Sequence, residues 1–166
     1  MKTRNDREFC NLLACSREVG AQKMPYYMYL MQAAGFDLRY RYSIRVDKLR
    51  SHGMVTALGS TISRGYATNR YEITDNGRVA LVNMPLTEED SITCDEVLDY
   101  IKNFDIQQLY FLCVVDIIVQ SELVTSGYKG LIDNKEEIIK TVKSIVKEYS
   151  DDDFDYSIGV FRKLRK

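Results

Sequence analysis

The sequence predicts a mainly α-helical protein with a small β-hairpin, arranged as a winged helix-turn-helix followed by a C-terminal helical bundle. Two observations carry this prediction. Three stretches of helical periodicity precede a short run of alternating residues, which is the element order of a winged helix. Beyond residue 85 the apolar residues recur at helical spacing only. We therefore expect a winged-helix domain over residues 1–84 and a helical domain over residues 85–166.

The first two helices are expected at about residues 6–19 and within "MPYYMYLMQAAG". Apolar residues recur at three- and four-residue intervals in the first. Pro25 falls in the first turn of the second, where its missing backbone N–H costs nothing. Gly35 suits the position after that helix, because glycine adopts left-handed backbone angles without steric cost.

A third helix is expected over residues 41–53, "RYSIRVDKLRSHG". Tyr42, Val46 and Leu49 form an apolar stripe along it. The neighbouring stripe is cationic and consists of Arg41, Arg45, Lys48 and His52. In a winged helix the third helix enters the major groove, where Arg and Lys reach phosphates or guanine edges.

The hairpin is expected in the Gly- and Thr-rich stretch that follows, with "RGYATN" as the wing tip and "RYEIT" as the returning strand. The predicted DNA-contacting residues are Arg41, Arg45, Lys48 and Arg50 on the third helix and Arg64 and Arg70 beside the wing. The alternative is that these cations only solvate an exposed face. Asp47, in the same helix, would oppose DNA if it faced the groove.

Several helix starts are marked in the second half of the chain. Thr74 is a suitable cap for a helix ending before Pro85, and "TCDE", residues 93–96, has capping-box spacing. Residues 106–120 are apolar nearly all round, as in a central buried helix. Ser150 is expected to cap the last helix.

Catalytic, metal and cofactor chemistry find little support in the sequence. His52 is the only histidine, and neither a phosphate-binding glycine loop nor a C-x-x-C pair occurs. The acids near residue 151 match the first turn of a helix, where negative charge is favourable. Asp116 lies in the apolar helix and needs a partner if it is buried. We expect no catalytic residue, no metal and no cofactor, and buried, reduced cysteines.

The charge of the chain is unevenly distributed. Residues 1–80 carry 13 Lys/Arg and 7 Asp/Glu, a net +6, whereas residues 81–166 carry 10 and 17, a net −7. This asymmetry suggests a polyanion-binding module joined to an assembly module. Equally, the two halves, or two copies of the chain, attract each other. The polar N-terminus "MKTRNDREFC" lacks the apolar run of a secretory signal, so a cytoplasmic protein without a membrane span is expected.

Three segments give a family resemblance: "LLACSREVGAQKMPYYMYLMQAAGFDLRYRYS", "VDKLRSHGMV" and "YEITDNGR". They resemble the YwgA-like group of bacterial proteins and, more distantly, the Panacea (SocA-like antitoxin) group. The chain departs from them before the third helix, where only Tyr42 and Ser43 remain of a "YGP[YF]S" turn. The resemblance implies a non-enzymatic prokaryotic protein that works by binding, and it supplies no site residues.

The sequence thus predicts a non-enzymatic regulator that binds double-stranded DNA, as a homodimer with two half-sites. The alternative is a protein-binding module, such as an antitoxin, adaptor or defence-associated partner, that uses the wing and the tyrosines near residues 26–42.

Overall fold

The computed structural model describes residues 6–38, 55–63, 66–84 and 86–165; side chains are described for these except at Arg7, Glu8 and the strand residues before Ile73. The helices are α1 Arg7–Ser16, α2 Met24–Ala33, α3 Asp75–Val82, α4 Glu88–Asn103, α5 Ile106–Glu122, α6 Leu131–Ile145 and α7 Asp151–Leu164, with a 3₁₀ turn at Gly127–Gly130. Strands β1 Val55–Ser63 and β2 Tyr66–Ile73 run antiparallel, with a register irregularity between Ala57 and Gly59.

The predicted fold class, a winged helix-turn-helix with the small β-hairpin as its wing, is wrong. The described part of the chain is mainly helical and contains no winged sheet; strands β1 and β2 pair only with each other. The predicted third helix, residues 41–53, lies outside the described residues. Alternating residues beside a Gly- and Thr-rich turn suit many exposed ribbons, so the pattern does not specify the packing of a wing. A helical bundle fits the C-terminal part.

The chain divides into two compact units, residues 1–103 (unit 1) and 104–166 (unit 2). The domain boundary predicted between residues 84 and 85 stays a prediction.

Unit 1 is built around α2, which is buried on most of its surface. Helix α4 packs against α2 and buries residues at helical spacing, namely Cys94, Val97, Leu98 and Ile101. Ile73, at the end of β2, packs with Leu12 and Cys15 of α1, and α3 covers this cluster with Ala80 and Leu81. The end of β2 is therefore held on α1 by apolar contact.

The ends of the unit 1 helices follow the sequence signals in part. Gly35 adopts a left-handed φ of +98°, and the Thr74 hydroxyl accepts a hydrogen bond from the Gly77 backbone N–H at 3.2 Å, as predicted. The capping box expected at Thr93 is wrong: α4 already begins at Glu88. The Thr93 hydroxyl instead donates to the Glu89 carbonyl at 3.0 Å, which satisfies it inside the helix.

In unit 2 the other helices pack around α5. This confirms the prediction that residues 106–120 form a central buried helix. The core residues of α5 pack with residues from α6 and α7; the buried members are Phe111, Val115, Val119, Leu131, Ile138, Val142, Phe154 and Ile158. Asp105 and Gln108 form a capping box at the start of α5: the Gln108 N–H donates to Asp105 Oδ1 at 2.8 Å, and the Asp105 N–H donates to Gln108 Oε1 at 2.9 Å.

Candidate functional site

The side chains predicted to contact DNA lie outside the described part of the structure. Arg70 is on β2, of which the backbone alone is described at that position. The other predicted contacts are at positions outside the described ranges: Arg41, Arg45, Lys48, Arg50 and Arg64. His52 lies outside them as well. The role of these residues in DNA binding stays a prediction from the sequence.

Asp116 is fully buried at the centre of unit 2 and has charged and polar partners. Arg165, just after α7, donates from Nε to Oδ1 at 2.9 Å and from Nη2 to Oδ2 at 2.7 Å. The hydroxyl of Tyr128, from the 3₁₀ turn, donates to Oδ1 at 2.7 Å. The expectation that a buried Asp116 needs a partner is confirmed, and the partner is a bidentate guanidinium.

This network ties three elements together around one charge. A buried carboxylate is costly without compensation, and two parallel N–H bonds to a guanidinium compensate it well. Arg165 keeps about a third of its side chain exposed, 31%, so its own desolvation cost is smaller. Because every described contact of Asp116 serves to hold the helices together, we assign the network a structural role.

A cavity of about 120 Å³ lies in unit 2 between the starts of α5 and α7. Its lining is mainly aromatic and consists of Phe104, Gln108, Phe111, Leu112, Tyr149, Asp153, Tyr156 and Ser157. The rings form two pairs. Phe111 and Tyr149 are stacked, with centroids 3.9 Å apart and planes at 11°, and Phe104 meets Tyr156 edge to face at 5.9 Å and 80°.

Several carboxylates lie near the aromatic residues that line this cavity. The pKa of the Tyr149 hydroxyl is raised, first by burial and then by the negative charges of Asp105, Asp153 and Glu148. A tyrosine that is harder to ionise next to acids indicates a locally negative field. The cavity therefore combines ring surfaces with negative charge.

The acids that open α7 act in helix capping and in surface ion pairs. Ser150 and Asp153 form a reciprocal capping box. Asp151 meets Lys143 at 2.8 Å, and Asp155 meets Lys135 at 2.7 Å. The hydrogen bond and charge of Lys143 lower the pKa of Asp151. Among the described residues, no group of three His, Cys, Asp or Glu side chains is placed to hold a metal ion.

The four cysteines are buried and form no disulfide, as the sequence predicted. In unit 1 the Tyr27 hydroxyl donates to the Cys10 carbonyl at 2.8 Å. Burial raises the pKa of Tyr27, and the nearby thiols of Cys10, Cys94 and Cys15 raise it further. Burial also raises the pKa of Cys15, to about 11. Neutral thiols of this kind are poor nucleophiles.

Sequence reasoning missed the aromatic cavity. Its rings come from residues far apart in the chain, at positions 104, 111, 149 and 156, and each alone reads as a core or edge aromatic. The available signal was their position: Phe104 sits beside the N-cap of α5, and Tyr149 beside that of α7. The sequence does not show which helix starts lie side by side in the bundle, so it could not single out the starts of α5 and α7.

Comparisons of the chain with protein-family models, with curated proteins and with solved structures found no match. The resemblance to the YwgA-like and Panacea groups stays a prediction. Within the described ranges no single helix is long and apolar enough to cross a membrane. By length and composition alone, α5 and the segment 127–145 reach that criterion together, across a bend of 82°.

Proposed function

We propose that the chain is a cytoplasmic regulator that acts by binding rather than by catalysis, and that its basic segment contacts duplex DNA. The observation that supports this is the separation of charge along unit 1. The six predicted contact cations lie between residues 41 and 70. Helix α4 carries six acids and a single lysine. Duplex DNA is attracted by the first region and repelled by the second, which gives it one preferred approach.

The experiment is a titration of the full chain against a labelled duplex at several salt concentrations. We expect binding that weakens steeply with salt, because Lys and Arg release condensed counterions from the phosphates. Arg45→Ala combined with Lys48→Ala is expected to weaken binding at every salt concentration. It is also expected to lower the slope of log K against log salt by about 1 per residue.

The matched control removes two exposed lysines from the acidic part of the chain. Lys102→Ala combined with Lys140→Ala makes the same change in net charge, at side chains exposed on α4 and α6. We expect this variant to bind like the wild type. Absent binding, or equal loss in both double variants, would contradict the DNA proposal.

A second candidate function is protein binding, and one described surface favours it. Tyr110, Ile117 and Val124 follow one another at seven-residue intervals along and just beyond α5, with 46%, 46% and 79% of their surfaces exposed. Tyr110 and Ile117, seven residues apart, share one face of α5 and form a short apolar stripe; the exposed Val124 lies two residues beyond the end of that helix. Such a stripe suits a homodimer, as the sequence predicted, or an antitoxin- or adaptor-type partner.

Light scattering on the purified chain tests the homodimer. We expect a dimer mass for the wild type and a monomer mass for Ile117→Glu combined with Val124→Glu. Ile132→Glu is the control, since Ile132 is 83% exposed on α6. A monomeric wild type at high concentration would oppose the dimer. Recovery of the chain alone from its native host would then count against a protein partner.

A further inference from the structure

The aromatic cavity of unit 2 has walls suited to a cation. Its four rings come from the two pairs Phe111–Tyr149 and Phe104–Tyr156. The faces of aromatic rings carry negative quadrupole charge, which attracts a cation within about 6 Å of the ring centre. Tyr156 is 54% exposed, whereas Phe111 is 4% exposed. The cavity therefore extends from the solvent-facing Tyr156 to a buried wall.

The charge around the cavity has the complementary sign. Two helix N-termini border it, and each would contribute about half a positive charge. Each carries a carboxylate in its capping box: the N-cap Asp105 accepts from the Gln108 N–H of α5, and Asp153, in the first turn of α7, accepts through Oδ2 from the N–H of the N-cap Ser150. A full negative charge at each cap exceeds the partial positive charge of the helix end. Glu148 adds to the field that Tyr149 experiences.

The lysines of α6 and of the segment after it do not line the cavity. Lys143 is paired with Asp151 and Lys135 with Asp155, so each of these positive charges is matched by an acid outside the cavity lining, and Lys147 is exposed. The side chains that line the cavity include one carboxylate, Asp153, and no Lys or Arg. An anion would meet repulsion there, and a neutral apolar ligand would leave the negative field unused.

We propose that this cavity binds the methylated ammonium head of an organic cation. Methyl groups replace the N–H donors of an ammonium ion, so the head needs no hydrogen-bond partners and contacts the rings directly. A volume of about 120 Å³ suits a head of a few heavy atoms, since an apolar cavity of about 150 Å³ holds benzene. The proposal rests on unit 2 alone and is independent of DNA binding.

The first experiment is an NMR titration of the ¹⁵N-labelled full chain with choline. Its control ligand is 3,3-dimethylbutan-1-ol, which has the same shape without the charge. We expect choline to cause saturable shifts at amides lining the cavity and to bind at least tenfold more tightly than the alcohol. A short peptide carrying trimethyl-lysine is titrated in parallel, and the tighter of the two ligands identifies a free or a side-chain ammonium as the source.

Two variants test the two features of the site separately. Tyr156→Ala removes a largely exposed ring and is expected to weaken cation binding at least fivefold. Ile132→Ala, at an apolar side chain of α6 that is 83% exposed and outside the cavity lining, is its control. Asp105→Asn keeps a good helix cap but removes one charge, and is expected to weaken choline binding and leave the alcohol unchanged. Asp133→Asn, an exposed acid of α6, is the control for charge.

The outcomes are decisive in both directions. Binding of either cation that depends on Tyr156 and Asp105 supports the proposal. It is overturned if neither choline nor the peptide shifts the cavity amides, if the uncharged alcohol binds equally well, or if Tyr156→Ala behaves like Ile132→Ala. Because the variants lie in unit 2, these results do not depend on the duplex titration of Arg45→Ala with Lys48→Ala.

Discussion

The two units differ in the polar side chains that they bury and in the partners of those side chains. Unit 1 buries mainly neutral groups, among them three thiols and the hydroxyl of Tyr27, which donates to a backbone carbonyl; its buried acid, Asp6, accepts from the Asp37 backbone N–H and not from a cationic side chain in that bond. Unit 2 buries an ion pair, with Asp116 held by Arg165 and Tyr128. Neutral groups cost little to bury when hydrogen-bonded, whereas a charge depends wholly on its partner. The units should therefore respond differently to mutation and to pH.

The largest expected effect is the loss of the buried ion pair in unit 2. Arg165→Ala removes the guanidinium that is paired with the buried Asp116 carboxylate, and we expect a loss of about 3 kcal/mol in the free energy of unfolding. Urea denaturation followed by circular dichroism measures it. Asp116→Leu combined with Arg165→Met should recover most of the loss, because both charges are then absent.

The neighbouring Arg162 supplies the control for this prediction. It is exposed on α7, so Arg162→Ala should change stability by less than about 0.5 kcal/mol. Equal effects of Arg162→Ala and Arg165→Ala would mean that the buried pair does not stabilise unit 2, and the contrast between the units would fail.

Local sequence signals predicted many of the helix ends. Contacts between residues far apart in the chain could not be predicted from the sequence. Gly35, Thr74 and Ser150 each mark a helix end through their own backbone or side-chain chemistry, which needs no partner elsewhere. The start of α4 at Glu88 was missed because Thr93 has the spacing of a cap but bonds within the helix. The wing was wrong because alternation specifies a strand and leaves its packing open.

The same limit explains what was missed at the candidate site. The sequence indicates that a buried Asp116 needs a charged partner. It does not identify Arg165, which lies 49 positions further along the chain, because several other cationic residues were equally possible partners. The aromatic cavity depends on two helix starts meeting in space, which no spacing along the chain encodes. The side chains predicted to contact DNA lie outside the described residues, so their role stays a prediction.

The second effect is a dependence on pH that originates in unit 1. The pKa of Cys15 is raised to about 11 in the folded chain, against about 8.5 for an exposed thiol. The folded state therefore favours the protonated form. The stabilisation from this group is complete below about pH 8.5 and is lost as the pH rises through about 11, a fall of about 3 kcal/mol.

Urea denaturation between pH 7.5 and 11 measures this fall, with Cys15→Ala as the comparison. The variant is less stable at neutral pH because it loses buried volume, but its stability should decline less between pH 8.5 and 11. The other tyrosines ionise in the same range in both proteins, so the difference between the two curves reports the thiol together with its contribution to the raised pKa of Tyr27. Parallel curves would show that Cys15 is not the group responsible.

The smallest expected effect compares a helix cap in each unit. In unit 1, Thr74 accepts one hydrogen bond from Gly77. In unit 2, the Ser150 hydroxyl accepts from the Asp153 N–H at 3.3 Å and also donates to Asp153 Oδ2 at 2.9 Å. Ser150→Ala removes both bonds and should cost about 1 kcal/mol, and Thr74→Ala about half as much. The comparison uses urea midpoints, with Ser121→Ala as a control, since the Ser121 hydroxyl only donates back to the Ile117 carbonyl within α5. If Thr74→Ala costs more than Ser150→Ala, the second bond of the Ser150 hydroxyl adds nothing to the stability of α7.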